Sequence, residues 1–467
     1  MGTSFVASVD VAAIRAALDH PIIDADGHLI ELMPLVGDIV REQGGTDVAR
    51  RFRAFGSPSS VQGVLPARVL RGLPAENTLD RMTAVLPRLL HARLESLGID
   101  FAVVYPSAGL NLMGTRDDEL RQVACRSLNI YYAEAFAGLR DRVEPVAVIP
   151  MFTPTEAVAE LDHAIGELGL KAVVMSGVVS RSELPDGTPT PWIDTLGHAS
   201  AYDYDPVWRR CGELGVVPTF HGIGYGWGSR ASTTNYVYNH LGSFAAAQEA
   251  VCRSLLMGGV PRRFPEMRFA FLEGGVSWAA QLYCDTLGHF DKRNIEAIAS
   301  LDPKRINVAD AMALLAEFGD QNMTDRADRY QRGLQTVIDG PDETDLDEFA
   351  ESAITSDDHI VDVFARQFYF GCEADDPLNA LAFGTSMLPH RARLNAMFAS
   401  DLGHWDVQDA RDVLPEAFEA VEHGHMDASQ FKDFTFANAA RMFTSMNPRF
   451  FDATVVESAV RDLIASR

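Results

Sequence analysis

In this sequence, carboxylate or imidazole residues directly follow short apolar runs at four places. In "IIDADGH" an aspartate and a histidine stand two positions apart, and side chains two apart share one face of an extended strand. Single acidic or histidine residues follow the runs "VVPTF", "RFAFL" and "LNAMFAS". The candidate ligands at these four places are Asp26, His28, His221, Glu273 and Asp401. Imidazoles and carboxylates that converge in this way suit a hard or borderline divalent metal.

Glu273 has two possible partners. An unpaired buried carboxylate is costly or takes up a proton, so a cation has to lie beside it. A salt bridge to an arginine such as Arg230 is one alternative. Gly274 and Gly275 leave room for close approach, and we predict that Glu273 is a metal ligand, either of a second ion or as a bridge between two.

Other polar residues near these runs have weaker claims to a metal. Asp24 is expected to bond backbone or a lysine, and Glu373, followed by "ADD", is expected in a solvated turn. Asp24 or Asp406 is expected to orient a metal-bound histidine. We place His404 with Asp401 and Glu273 in the catalytic set, and expect His240 to contact the substrate or support the site.

These residues need a scaffold that brings strand ends together. Eight near-continuous apolar runs alternate with amphipathic stretches, a pattern typical of parallel strands buried on both faces. The pattern predicts an α/β fold, a (β/α)8 TIM barrel, whose carboxyl ends carry the chemistry. A doubly wound sheet is the alternative, but no GxGxxG follows the first run. The runs cover residues 21–28, 101–109, 143–151, 171–177, 216–222, 268–275, 367–373 and 394–401.

Two connections are too long to be simple crossovers. They cover about residues 29–100 and 276–366, and helical patterns within them predict helical insertions after strands one and six. We interpret residues 1–467 as one domain, with the insertions as lid or oligomer elements, and expect a homodimer.

Composition excludes several classes of partner. With 40 basic and 65 acidic residues, the formal charge of −25 argues against nucleic acid and anionic membrane surfaces. The five cysteines form no CxxC pair, which excludes an ordinary thiolate zinc site and indicates a reducing compartment. The sequence has no uninterrupted run of 18 apolar residues, so no membrane span is predicted. We therefore expect a cytoplasmic protein.

Four motifs in order, "IDADGH", "HG", "FLEGG" and "SDLGHWD", resemble the metal-dependent amidohydrolase superfamily, in particular its decarboxylase-like branch. The resemblance runs from about residue 21 to about residue 447. It implies that the ligands are Asp26, His28, His221 and Asp401, with Glu273 where the branch usually has a histidine. The sequence departs from the pattern twice, with DxH for HxH and Glu for His, and both changes replace nitrogen with oxygen.

The ligand inventory leaves three functions open. Two histidines with three or four carboxylates are typical of di-iron oxygen-activating sites. The chain is similar to the non-haem di-iron monooxygenases of platensimycin and platencin biosynthesis. We therefore predict such a monooxygenase of secondary metabolism, with two iron ions, dioxygen and a bulky apolar substrate (a terpenoid acid or acyl thioester). The alternatives are a hydrolase or non-oxidative decarboxylase with one Zn or Mn, in which Asp401 is the general base of a hydrolase, and a non-catalytic binding barrel.

Overall fold

The computed structural model describes residues 5–55, 67–68, 71–341 and 346–466. Eight parallel strands of these residues form one sheet in chain order, β1-β2-β3-β4-β7-β8-β9-β10, and β5 and β6 form an antiparallel hairpin in the connection after β4. The strands are β1 (Ile23–Leu29), β2 (Phe101–Pro106), β3 (Val143–Ile149), β4 (Ala172–Met175), β5 (Val179–Arg181), β6 (Trp192–Asp194), β7 (Pro218–Phe220), β8 (Phe269–Phe271), β9 (Phe368–Glu373) and β10 (Asn395–Ala399). Seven of the eight strands of the sheet lie within the predicted runs, and β1 extends one residue, Leu29, beyond its run.

The first and last strands of the sheet lie side by side. The backbone N–H of Asp401 donates to the carbonyl of Asp26 over 3.2 Å, and the N–H of Ser400 donates to the Asp24 carboxylate over 2.9 Å. These contacts bring the two edges together, so the sheet is a nearly closed barrel surrounded by helices. The predicted (β/α)8 fold is confirmed.

The barrel core is built from aromatic and branched side chains. The ring of Phe271 on β8 stacks on Phe220 of β7 and Phe370 of β9, with centroids 5.7 and 6.0 Å apart. All seven residues of β1 are buried, its polar ones included. Polar groups buried at the end of an otherwise apolar strand need partners.

Helices follow most barrel strands and pack on the outside. The helix Pro154–Leu161 begins with a capping box, in which the side chains of Thr153 and Glu156 each accept from the other's backbone N–H. A π-helical turn, Asp162–Glu167, continues this helix. The helix after β8, Ser277–Arg293, occupies the start of the second long connection. The helices outside the two long connections are Val9–Ala17, Gly109–Gly114, Asp118–Ala135, Asp205–Leu214, Tyr236–His240, Ser243–Met257, Val260–Arg263, Pro377–Phe383, Pro389–Arg391, Val413–Glu422, Ala428–Lys432, Asp433–Ala437, Asn438–Met446 and Glu457–Ala465.

Both long connections contain helices, as predicted. Residues 56–66, 69–70 and 342–345 of these connections lie outside the described part. Their described helices are Met33–Phe55, Thr78–Thr83, Pro87–Arg93, Leu94–Leu97, Ala297–Leu301, Pro303–Arg305, Val308–Phe318, Gln321–Thr324, Ala327–Ile338, Asp357–Asp362 and Val363–Gln367. A lid or oligomer role for them stays a prediction. In the described part of the chain, no helix has the length and apolar character needed to cross a membrane.

Candidate metal centre

Strand β1 contributes two side chains to the centre. Asp26 and His28 are buried and lie on one face, separated by Gly27. A Cβ at Gly27 would stand 2.6 Å from Oδ2 of Asp24, so a larger residue there would require the Asp24 carboxylate to move. His28 Nδ1 lies 3.2 Å from the carbonyl oxygen of Pro106 and donates to it, which leaves Nε2 to face the centre. The expectation that Asp24 or Asp406 orients this histidine is wrong, because a β2 carbonyl does so.

Asp24 closes the barrel and does not face the centre. Its carboxylate accepts hydrogen bonds from the Ser400 hydroxyl (2.6 Å), the Ser400 N–H (2.9 Å) and the Asp26 N–H (3.2 Å). Burial raises its pKa to about 6, and these hydrogen bonds oppose that rise. The predicted backbone-bonding role of Asp24 is confirmed.

Glu273 reaches the centre from the end of β8. Its Oε2 lies 2.7 Å from Nε2 of His221, which directly follows β7. Glu273 has a φ of 57°, in the left-handed region that non-glycine residues rarely adopt. Arg230 is half-buried and donates to the carbonyl of Gly242 over 3.2 Å. The arginine salt bridge considered for Glu273 is therefore wrong.

Asp401, just beyond β10, is the second carboxylate with a left-handed backbone, with a φ of 46°. The turn that follows brings His404 back, so that its Nδ1 lies 2.6 Å from Asp401 Oδ1 and 3.9 Å from Glu273 Oε1. The His404 ring lies against that of His28, with centroids 4.1 Å apart. Two strained backbones at one site indicate that the fold holds these carboxylates where their chemistry needs them.

These residues form two overlapping groups of possible metal ligands. Within each group the ligand atoms all lie within 4.8 Å of one another. The groups are Asp26–His28–His221 and His28–Glu273–Asp401–His404. The barrel thus brings together all five predicted ligands and adds His404, which the sequence placed in the catalytic set.

The carboxylates of the centre lack hydrogen-bond donors. Oδ1 of Asp26, Oε2 of Glu273 and both oxygens of Asp401 are buried and accept no hydrogen bond, although imidazole nitrogens lie close to them. Burial raises the pKa of all three carboxyls well above the usual range. Buried oxygens that converge without donors fit a shared cation, so these residues fit a divalent metal.

The imidazoles are held neutral, as metal ligands must be. Burial lowers the pKa of His28 well below its usual range and that of His404 to about 4. Burial, followed by the charge of Glu273, raises the pKa of Glu373 to about 8. Glu373 is half-buried at the end of β9, so the prediction of a solvated turn is wrong.

A cavity of about 210 Å³ opens from the centre to the surface. His221, Glu273 and His404 line its inner end. Its walls are aromatic, and His240 stands 5.2 Å from Tyr236 and 5.5 Å from Trp405, measured between ring centroids. The sequence analysis placed His240 near the site but missed the aromatic wall, which comes from the connections after β7 and β10.

Ser107 is a further polar residue of this cavity that the sequence analysis missed. It directly follows β2, and its hydroxyl lies 3.3 Å from Nε2 of His404. The rule that found the other residues, a polar side chain directly after a barrel strand, also applies to Ser107. It was hidden because a serine is common in loops and carries no charge.

Comparison with known proteins gives one family and several structural neighbours. Residues 23–444 match the sequence model of the amidohydrolase family. An amidohydrolase from Mycobacterium avium subsp. paratuberculosis K-10 superposes with a TM-score of 0.53 at 16% identity, covering 91% of this chain and 100% of that chain. The 5-carboxyvanillate decarboxylase of Sphingomonas paucimobilis gives 0.51 at 14% identity, covering 91% and 98%. No curated protein matches the sequence significantly.

A third structural neighbour contains bound manganese. A variant of the 5-carboxyvanillate decarboxylase of Novosphingobium aromaticivorans DSM 12444, with bound manganese, superposes with a TM-score of 0.50 at 13% identity. The match covers 95% of this chain and 100% of that chain. At these identities the likeness to solved structures shows the shared barrel fold.

Proposed function

The chain belongs to the amidohydrolase family, and we propose that it is a metal-dependent, non-oxidative decarboxylase of a small aromatic acid. The observation that carries the proposal is the set of buried carboxylate oxygens that accept no hydrogen bond and meet imidazole nitrogens at the inner end of a ring-lined cavity. Two of the structural neighbours are decarboxylases of a carboxyvanillate. These findings favour the decarboxylase alternative over the di-iron monooxygenase.

A single ion fits the ligand geometry better than two. His28 belongs to both ligand groups, but its Nδ1 is engaged with the Pro106 carbonyl, so only Nε2 has a lone pair for a metal. One lone pair binds one ion. Once His28 binds the first ion, the first group can offer a second ion only Asp26 and His221. The second group can offer it Glu273, Asp401 and His404.

Manganese suits the ligands best. The sequence replaces two nitrogen ligands of the related branch with the oxygens of Asp26 and Glu273, and oxygen-rich sites favour Mn²⁺ over Zn²⁺. A structural neighbour holds manganese. We therefore propose one Mn²⁺ held by Asp26, His28, His221, Glu273 and one oxygen of Asp401.

The cavity size supports a single-ring substrate. A cavity of about 150 Å³ accommodates benzene, and this one offers about 210 Å³. That volume suits one substituted ring better than the bulky terpenoid suggested by the sequence. Tyr236 and Trp405 line the cavity and pack edge to face, with ring centroids 6.1 Å apart, which gives a substrate ring an aromatic wall to pack against.

The bound ion would act as a Lewis acid toward an oxygen of the substrate carboxylate. Asp401 would bind the ion through one oxygen and supply a proton from its carboxyl group, whose Oδ1 lies 2.6 Å from Nδ1 of His404. It transfers this proton to the ring carbon that bears the substrate carboxylate. The bond between that carbon and the carboxylate breaks, its electron pair returns to the ring, and carbon dioxide leaves. His404, between Asp401 and the Ser107 hydroxyl, returns a proton to Asp401 from the cavity.

The test uses protein stripped of metal and reloaded with Mn²⁺, Zn²⁺ or Fe²⁺. We expect Mn²⁺-loaded protein to release carbon dioxide from hydroxybenzoates, one per aromatic product, with the same rate under nitrogen as in air. At saturating Mn²⁺, Asp401→Asn should still load metal, because its amide oxygen replaces one ligand oxygen, and should lose this activity because the amide has no carboxyl proton to transfer. Glu422→Gln, which removes an exposed carboxylate from the outer helix Val413–Glu422, is the matched control.

Two results would contradict the proposal. Oxygen uptake coupled to hydroxylation of the substrate would support the monooxygenase function in place of the decarboxylase. Cleavage of esters, lactones or amides by the same centre, without release of carbon dioxide, would identify a hydrolase.

A further inference from the structure

The charge of the cavity points to a narrower class of substrate. We propose that the substrate carries a single anionic group, bound at the metal end, and that a second carboxylate on the ring edge facing the mouth is rejected. This selectivity rests on the decarboxylase function proposed above. It follows from which charged groups line the cavity and which do not.

No described residue that lines the cavity is a lysine or an arginine. The charged lining residues are the acids Glu273 and Asp406. The neutral polar atoms of the wall include the hydroxyls of Tyr225 and Tyr236, which lie 3.3 Å apart. A substrate carboxylate away from the metal would therefore lose water without gaining a cation, and such burial is unfavourable.

The acids of the inner end already balance the charge of one divalent ion. Asp26 and Glu273 supply two negative charges, and Asp401 carries the proton used in the reaction. Beyond Glu273, an adjoining cavity is lined by two further acids, Glu373 and Asp376, and its described lining also lacks lysine and arginine. The substrate's own carboxylate therefore makes the inner end net negative, so a second carboxylate on the substrate meets repulsion.

Asp406 brings this repulsion to the mouth of the cavity. It is exposed beside Trp405, whose side chain is 39% exposed at the rim. It lines the same cavity as Glu273 and His404, so its charge faces the space that a bound ring would occupy. Asp406 is thus the residue that a distal substituent of a bound ring would meet.

Two arginines next to lining residues, Arg71 and Arg230, do not line the cavities themselves. Arg71 adjoins the lining residue Gly72 but is exposed. Arg230 donates to the carbonyl of Gly242, which lines the adjoining cavity. Neither guanidinium lines either cavity.

A matched pair of ligands tests the selectivity. A hydroxybenzoate with a nitro group at the distal ring position is nearly isosteric with the analogue that has a carboxylate there, and differs from it in charge. Calorimetry with Mn²⁺-loaded protein at low salt should show at least tenfold tighter binding of the nitro compound, which corresponds to about 1.4 kcal/mol. Low salt matters because an exposed charge such as Asp406 is screened.

Variants separate charge from packing. Asp406→Asn should reduce the ratio of the two affinities to a few-fold in favour of the nitro compound. Asp406→Lys should make the carboxylate analogue bind more tightly than the nitro compound. Trp405→Ala should weaken both ligands by the same factor and leave the preference unchanged. Glu422→Gln removes one exposed acid from the outer helix Val413–Glu422, away from the cavity lining, and should leave the affinities for both ligands unchanged.

Each outcome decides a different point. A nitro preference without release of carbon dioxide from any tested acid would support the selectivity and contradict the decarboxylase. Equal binding and turnover of both compounds, or a carboxylate preference that Arg71→Ala removes, would overturn the selectivity and leave the decarboxylase standing. Binding of neither analogue would overturn both.

Discussion

Replacing Glu273 by glutamine should stabilise the metal-free protein and reduce the stability that the protein gains on binding metal. Glu273 is 8% exposed, its Oε2 accepts no hydrogen bond, and its ligand oxygen lies within 4.8 Å of that of Asp401. Two charges at that distance repel by about 3.5 kcal/mol at an effective dielectric constant of 20, an upper limit because protonation relieves the repulsion. We expect metal-free Glu273→Gln to be about 1–3 kcal/mol more stable than metal-free wild type.

The stability gained on binding metal should be smaller in Glu273→Gln than in wild type. Wild type at a free Mn²⁺ concentration 1,000 times its Kd gains about 4 kcal/mol. Unfolding entropy is about 2.1 cal/mol/K per residue, so for 467 residues this gain raises Tm by about 4 °C. A hundredfold loss of affinity in the variant would reduce the rise to about 1.5 °C.

Thermal unfolding followed by circular dichroism, with metal content measured on the same samples, checks both signs. The matched control is Glu31→Gln. Glu31 is buried, but its carboxylate accepts hydrogen bonds from the N–H groups of Ala108 and Gly109 and from the Tyr132 hydroxyl. It should lower Tm in both states and keep the full rise on loading. If metal-free Glu273→Gln is less stable than wild type and its rise on Mn²⁺ is unchanged, Glu273 has a structural role.

Three further outcomes follow from the same geometry. His221→Ala and Asp401→Ala should each abolish turnover with the far-ultraviolet spectrum unchanged, and wild-type turnover by either would contradict the assigned centre. Asp24→Ala leaves three buried donors without an acceptor, so urea unfolding should show a loss of about 2–6 kcal/mol; a loss below 1 kcal/mol would mean that water replaces the carboxylate. Gly27→Ala should displace Asp24 and reduce bound Mn²⁺ to below half of the wild-type content by elemental analysis, whereas full occupancy would show that β1 tolerates a Cβ there.

The sequence predicts the scaffold well because buried parallel strands leave a simple signal. Each of the eight predicted runs overlaps a strand of the sheet, and five of the ligand candidates converge. The strand boundaries were less accurate: the run 268–275 forms a strand only over Phe269–Phe271. The chain leaves the sheet there because the backbone at Glu273 is left-handed, a conformation that residue type alone does not indicate.

Partners set by backbone geometry were beyond the sequence. His404 reaches the centre because the left-handed turn at Asp401 reverses the chain, and this places it three residues later beside Glu273. His28 is oriented by the Pro106 carbonyl, a group that every residue has and that no pattern distinguishes. Hydrophobic periodicity predicts which strands form, but not which backbone atoms face each other across them.

The junction between β1 and β10 gives the metal a role in the mechanics of the barrel. These strands are the two ends of the paired sheet in the described residues, and few hydrogen bonds join them. The ligands lie on both sides of that junction, with Asp26 and His28 on β1 and Asp401 just past β10. An ion bound there ties the weakest junction of the sheet, so loading and closure are thermodynamically linked. Removing the metal should then speed the exchange of amide hydrogens on either side of this junction with solvent. It should speed the exchange of amide hydrogens in the central pair β3 and β4 less.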